Sequence, residues 1–277
     1  MTATNPNSPT APPRRSLRIV LLAIGTVVLV ALVVGAALVV GTAVGGKRSD
    51  ASAHYSITGS FDSVRISAKA ADVTVRYGSV DSAELIFHQG RQVRSATLRH
   101  TVARGVLTVT ESVSGSLPFG WIVADATTLE IVLPKSDESG PMDLDATIEA
   151  GNVDLNGRFA ALTVASNAGN ITLGGGARSL NLKAQSGNVS ATGYSLSGPI
   201  TSITTAGDSH YEFSTLPSRA TLSAGAGDIW FGVPKGAYQV SGRSLAGTVH
   251  QNVTSIPGAS RVYTLRDNAG NITVANR

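Results

Sequence analysis

Ala150-Gly151-Asn152-Val153-Asp154-Leu155 is the segment on which the fold turns, because the chain keeps returning to it. It recurs as Ala168-Gly169-Asn170-Ile171-Thr172-Leu173 and as Ser186-Gly187-Asn188-Val189-Ser190-Ala191. Then come Ala206-Gly207-Asp208-Ser209-His210-Tyr211 and Ala226-Gly227-Asp228-Ile229-Trp230-Phe231. Ala246-Gly247-Thr248-Val249-His250 is a weaker copy, and Ala269-Gly270-Asn271-Ile272-Thr273-Val274 closes the series. The glycines step by 18, 18, 20, 20, 20 and 23 residues. An earlier, degenerate copy reads Ala70-Ala71-Asp72-Val73-Thr74-Val75.

Each copy is a small residue, a glycine, an Asn or Asp, and then an alternating strand. Glycine permits positive φ at a turn, and Asn or Asp tolerates it while bonding nearby backbone. A second strand precedes most turns, as in Leu162-Thr163-Val164, Leu180-Asn181-Leu182 and Ala220-Thr221-Leu222. A β-meander is one architecture with such turns. A hairpin sheet, however, has no reason to repeat one motif once per two strands. A solenoid does, because each coil stacks its turn and its inward residues on the next. The spacing therefore predicts an all-β chain whose repeats form a parallel β-solenoid of 18–20 residues per coil. Gly151, Gly169, Gly187, Gly207, Gly227 and Gly270 form its turn column, and Asn152, Asn170, Asn188, Asp208, Asp228 and Asn271 a side-chain ladder beside it.

Upstream, Val64-Arg65-Ile66 and Val73-Thr74-Val75 alternate cleanly, and strands are expected at 83–89, 95–103, 106–113 and 128–133. Residues 54–140 are read as the start of the solenoid plus an antiparallel cap, since a bare first coil leaves an edge open to aggregation. The repeats proper occupy 141–277.

Phe61-Asp62-Ser63-Val64-Arg65-Ile66, Leu129-Glu130-Ile131-Val132-Leu133-Pro134-Lys135 and the Ala/Ser-Gly-Asn/Asp ladder together resemble the bacterial "putative adhesin" family, a β-strand-repeat domain of unknown function. The resemblance spans roughly residues 55–275. It implies a membrane-attached envelope protein and brings no catalytic residues with it. Ala71 and Thr248 depart from the family's turn pattern.

The 277 residues are 42% hydrophobic and only 14% charged, the reverse of a disordered chain. There is no cysteine, which excludes disulfides, thiolate metal sites and cysteine nucleophiles. The net charge of +4 comes from Arg14, Arg15, Arg18, Lys47 and Arg48 against Asp50; the rest carries 17 basic (22 less 5) and 17 acidic (18 less 1) residues. Nucleic acid is therefore not an expected partner. Those basic residues flank an uncharged run, residues 19–46, long enough to span a bilayer as a helix. Three arginines before it against two basic residues after it favour a cytoplasmic N-terminus and an extracytoplasmic C-terminal part. Residues 1–18 read as a disordered cytoplasmic tail and 47–53 as a linker. The rival reading is a cleaved signal peptide, with Arg14-Arg15 and an Ala51-Ser52-Ala53 cleavage pattern. Ala37, Gly41 and Gly45 stand four apart, a pattern by which two helices pack into a homo-oligomer.

No P-loop, GxGxxG after a strand, HExxH or GxSxG occurs. No cofactor, metal or enzymatic activity is expected. Asp143, Asp145 and Glu149 read as a solvated strand face. With the coils aligned on the turn, the residue two after the Asn/Asp position faces outward and reads Asp154, Thr172, Ser190, His210, Trp230, His250, Thr273. This predicts an exposed His210–Trp230–His250 strip over three consecutive coils, suited to a glycan or a protein partner. Trp121, in the loop Ser116-Leu117-Pro118-Phe119-Gly120-Trp121, is the other candidate contact. The expected function is non-catalytic adhesion or polymer binding at the cell surface; the alternative is an envelope structural or stress-sensing component acting through protein contacts.

Overall fold

The computed structural model describes residues 52–90, 96–113 and 127–277. The tail 1–18, the apolar run 19–46, most of the linker and the loop holding Trp121 lie outside the described residues. Among those described, no helix is long and apolar enough to cross a membrane.

The described chain is strand after strand. In order these are β1 (Ala53–Ser56), β2 (Ser63–Ala70), β3 (Asp72–Gly78), β4 (Glu84–His88), β5 (Ala96–Ala103), β6 (Val106–Val113) and β7 (Thr128–Pro134). A short 3-10 turn at Lys135–Ser139 leads to β8 (Asp143–Ala150), β9 (Val153–Ala168), β10 (Ile171–Ser186), β11 (Val189–Leu196), β12 (Pro199–Ala206) and β13 (Ser209–Phe213). The last are β14 (Arg219–Ala226), β15 (Ile229–Val233), β16 (Gln239–Ala246), β17 (Val249–Asn252), β18 (Val262–Ala269) and β19 (Ile272–Asn276).

These strands stack in parallel as two walls of a β-solenoid. Wall A runs β6, β2, β8, the second half of β9, the second half of β10, β12, β14, β18, β16. Wall B runs β7, β3, the first halves of β9 and β10, β11, β13, β15, β19, β17. Burial alternates along most strands, β12 for example burying Ile200, Ser202 and Thr204 while exposing Thr201, Ile203 and Thr205. That period of two is what one buried face demands.

Two levels are out of sequence order. At the far end, β18 and β19 lie between β14/β15 and β16/β17, so the chain's last strands are interior and an earlier coil is outermost. The consecutive stacking implied by the glycine steps is corrected here. The reason is side-chain volume. The inward residues of β18 and β19 are Tyr263, Leu265, Ile272 and Val274, all fully buried, with Asp267 the one charged side chain among them. Those of β16 and β17 include Gly242, Ser244, Val249 and Gln251. The apolar coil takes the covered level and the small, polar one takes the end. At the near end, β6 and β7 lie outside β2 and β3, and are in turn covered by antiparallel β5 on β6 and β4 on β7, with β1 antiparallel on β4. The β5–β6 hairpin closes at Arg104 and Gly105, both at positive φ as its tight turn requires. Buried Glu111 finishes this end: its Oε2 accepts the backbone N–H groups of Lys69 (2.7 Å) and Ala70 (3.0 Å).

The turns form a continuous hydrogen-bonded row. The Oδ1 of Asp72 accepts the N–H of Asn152 (2.7 Å), Asn152 that of Asn170 (3.0 Å), and Asn170 that of Asn188 (2.9 Å). The row continues from Asn188 to Asp208 (2.8 Å), Asp208 to Asp228 (2.8 Å) and Asp228 to Asn271 (2.7 Å). It ends with Asn271 accepting from the N–H of Thr248 (3.1 Å). Thr248 needs no acceptor of its own, because no coil follows it in the stack. Inside, Tyr194, Phe213, Phe231, Tyr263 and Tyr238 form a row of rings with successive centroids 5.2–6.5 Å apart.

Asp267 is the polar exception in this core, 2% exposed between the β14 and β16 levels. Its Oδ1 accepts the N–H of Ala269 (3.2 Å) and its Oδ2 has no hydrogen-bond partner. Burial, foremost, and the nearby Asp228 push its pKa above the ordinary value, against the pull of the Ala269 and Asn268 N–H groups. A raised folded pKa means that stability is full below the ordinary carboxylate range and is lost as pH rises through the folded value. Asp267→Asn mimics the protonated form at every pH. Its melting temperature is expected above wild type at neutral pH, by about 1–2 kcal/mol of stability, with the gap closing toward pH 4. Paired thermal melts across that range check it; a variant less stable at every pH refutes it.

Candidate functional site

Wall B's outward face is built by the turn-plus-two position of each level. In spatial order this column reads Thr74, Asp154, Thr172, Ser190, His210, Trp230, Thr273, His250. His210 and Trp230 are Cα partners on β13 and β15, both exposed. Their rings stack with centroids 5.7 Å apart and planes 2° from parallel. Parallel, in-register pairing produces this: two residues at the same place on neighbouring rungs point the same way, about 4.8 Å apart. Trp230 leaves 39% of its surface in water.

His250 does not join the pair. The inserted β19 places Thr273 between Trp230 and His250, so the strip of three is broken. Three rungs put His250 about 14 Å from His210 rather than two rungs away. Its Nε2 lies 3.0 Å from Thr248 Oγ1, at the end of the turn row.

The next outward column adds charge beside the ring pair. Glu212, two residues after His210, pairs with Arg277 (Nε to Oε1, 3.0 Å). Gly232, itself buried, holds the rung beside it, and a Cβ there would lie 3.4 Å from Trp230 Nε1, so the small residue makes room for the indole. The patch therefore offers an apolar double ring, an indole N–H, a carboxylate and a guanidinium on a flat surface. That set suits a ligand with one apolar and one hydroxylated face.

Several of the other acidic and histidine side chains have structural partners, while Glu149 is exposed. Asp145 pairs with Arg65 (3.7 Å), and Asp143 Oδ1 accepts the Ala161 N–H (2.9 Å). His54 meets Glu84 (3.2 Å), His88 Nδ1 lies 3.3 Å from Ser52 Oγ, and the His100 ring lies 4.7 Å from that of Tyr55. Among the described residues, no group of three acidic or histidine side chains could hold a metal ion. Trp121 lies outside the described residues. The Glu212–Arg277 pair escaped the sequence reading because it joins β13 to the last residue of the chain.

Residues 61–231 match the Toastrack DUF4097 family profile. No curated protein matches the chain. Among solved structures it is similar to a "putative adhesin" from Bacteroides fragilis (14% identity, 83% of this chain and 97% of that one, TM-score 0.45). It is also similar to a "putative cell adhesion protein" from Clostridium sporogenes (9%, 84% and 100%, 0.37). A third is a "putative lipid binding protein" from Parabacteroides distasonis (12%, 80% and 96%, 0.39). With the profile covering more than half of its length, the chain belongs to the Toastrack DUF4097 family.

Proposed function

We propose that this chain is a single-pass membrane protein of the bacterial envelope whose β-solenoid lies outside the cell and binds a glycan polymer without catalysis. The stacked His210–Trp230 pair carries this reading. The partly exposed indole, braced by the parallel His210 ring, gives a sugar an apolar contact. Glu212 and Arg277 beside them supply acceptors and donors for its hydroxyls. The uncharged run 19–46 supports the anchor, and the basic residues around it support the orientation.

The purified full chain on a glycan array tests the site. Trp230→Ala is expected to lose about tenfold or more in affinity, equivalent to ~1.4 kcal/mol, while Trp230→Phe keeps most of it. Trp230→Phe should melt near wild type and Trp230→Ala somewhat lower but still cooperatively, since the indole is partly buried against His210. A wild-type chain that binds no glycan, or an unchanged Trp230→Ala, overturns the reading. Location has its own test, protease shaving of intact cells carrying a C-terminal tag. Loss of the tag supports the outside placement; retention until lysis makes a cytoplasmic, partner-binding scaffold the better reading.

A further inference from the structure

On wall A, Arg243 of β16 and Arg266 of β18 are direct Cα partners on neighbouring parallel strands. Both are exposed. Like charges about 4.8 Å apart repel and weaken a sheet. Among the described residues neither has an ion-pair partner. The fold itself does not ask for the pair, since Ser223 and Ile203 fill the same column on the next rungs inward.

Charge also sorts along this wall. The outward positions of β2 and β8 mix Arg65 and Lys69 with Asp143, Asp145 and Glu149. From the second half of β10 onward, the outward charged residues are Lys183, Arg219, Arg266 and Arg243, with no acid among them. The acids at these levels, Asp208 and Asp228, keep their charge but sit on the turn row, each Oδ1 accepting a ladder N–H, rather than among the outward residues of this wall. The balanced total of residues 51–277 therefore hides a basic field at the far end of one face. The row beside the arginines is Thr201, Thr221, Thr264 and Ser241, in register from rung to rung.

We propose that this end of wall A is a second binding face, for an acidic polysaccharide. The Arg243 and Arg266 guanidiniums fork onto its carboxylates, and the hydroxyl row receives its hydroxyls. Arginine's planar donors match a carboxylate bidentately. The hydroxyl row flanking the charges favours a hydroxylated polyanion; Ile203 and Leu245, also exposed on this face, make phosphatidylglycerol vesicles the necessary control. The absence of outward aromatic rings on these strands argues against single-stranded nucleic acid. The proposal rests on the reading of the chain as a polymer-binding protein, but uses the other wall and other residues.

The test is titration of the purified full chain, in neutral detergent, with polygalacturonate and with uncharged dextran. Polygalacturonate is expected to bind at least about tenfold tighter and to weaken several-fold as salt rises to about 0.3 M. Arg243→Gln/Arg266→Gln should lose about tenfold or more, with an unchanged melt, while Trp230→Ala keeps this binding. No preference for polygalacturonate, or undiminished binding by the double variant, overturns the proposal. Charge-dependent binding to phosphatidylglycerol vesicles or to DNA in place of polygalacturonate also overturns it and reassigns the face. Failure of the Trp230 array test or of the shaving test would sink the earlier reading and leave this titration to stand by itself.

Discussion

Gly187→Ala is expected to be among the most destabilising single substitutions in this chain, at about 3–5 kcal/mol. Two costs add at that position. Gly187 has φ 130°, a conformation that side chains rarely adopt. Its Cβ would also run into the carbonyl oxygen of Gly169, one rung below, and would lie 2.7 Å from the Gly169 carbonyl carbon. Backbone cannot step aside as a flexible side chain does. Relief requires the two rungs to part, which stretches the Asn188 N–H to Asn170 Oδ1 bond of 2.9 Å. The rung above repeats the contact, since a Cβ on Gly207 would strike Gly187. Two controls separate the terms. Gly258 has φ 80° with open space around it, so Gly258→Ala carries strain alone and should cost about 1 kcal/mol. Gly140 has open space and no positive φ, so Gly140→Ala should be close to neutral. Urea unfolding of the three variants checks the series. If Gly187→Ala costs no more than Gly258→Ala, close rung contact is not what makes the turn column glycine.

Much of this architecture is legible in the chain, and the legible part is local. A Gly-Asn turn followed by Val153-Asp154-Leu155 states its own conformation and its own alternation, so strands, turn row and inward faces follow from single copies. What a local motif does not state is its neighbour. Glycine steps of 20 and 23 residues look alike whether β16 or β18 rests on β14. The choice is made by volume at Tyr263 and Leu265 against Val240 and Gly242, a comparison of coils rather than a motif within one. The error at His250 has that origin, because the strip of three assumed that sequence neighbours are rung neighbours. Thr248 held the missing signal. Every other rung passes the hydrogen bond on through an Asn or Asp Oδ1, and a turn without that oxygen fits the end of the row. The basic field of wall A was invisible for a different reason: equal totals of acid and base say nothing about which wall or end each occupies.

That coil order leads to the other large effect. Ending the chain at residue 260 removes β18 and β19, and is expected to disorder β16 and β17 as well. Among the described residues β16 pairs only with β18, and β17 only with β19. The truncated chain could rescue itself by sliding β16/β17 down onto β14/β15. In the register that the missing coil defines, Gly242 would then replace Leu265 over Leu222, and Gln251 would replace Val274 over Phe231. The Tyr263 ring, buried against Phe231 with its hydroxyl donating to the Pro217 carbonyl (2.9 Å), would leave a void. Large-to-small changes of this kind cost about 2–5 kcal/mol each. A melting temperature lower by about 10 °C or more is therefore expected, with early protease cleavage within 239–260. A one-coil-shorter solenoid melting near wild type would show that the coils interchange freely. The order itself can be read in the intact chain, which has no cysteine to interfere. Thr221→Cys with Thr264→Cys joins direct Cα partners and should oxidise to a disulfide, since adjacent rungs fall within bonding reach. Thr221→Cys with Ser241→Cys spans two rungs, about 9.6 Å, and should not. Efficient bonding in the second pair and not the first would put β16 directly on β14, restore the sequential stack, and with it bring His250 onto the rung beside Trp230.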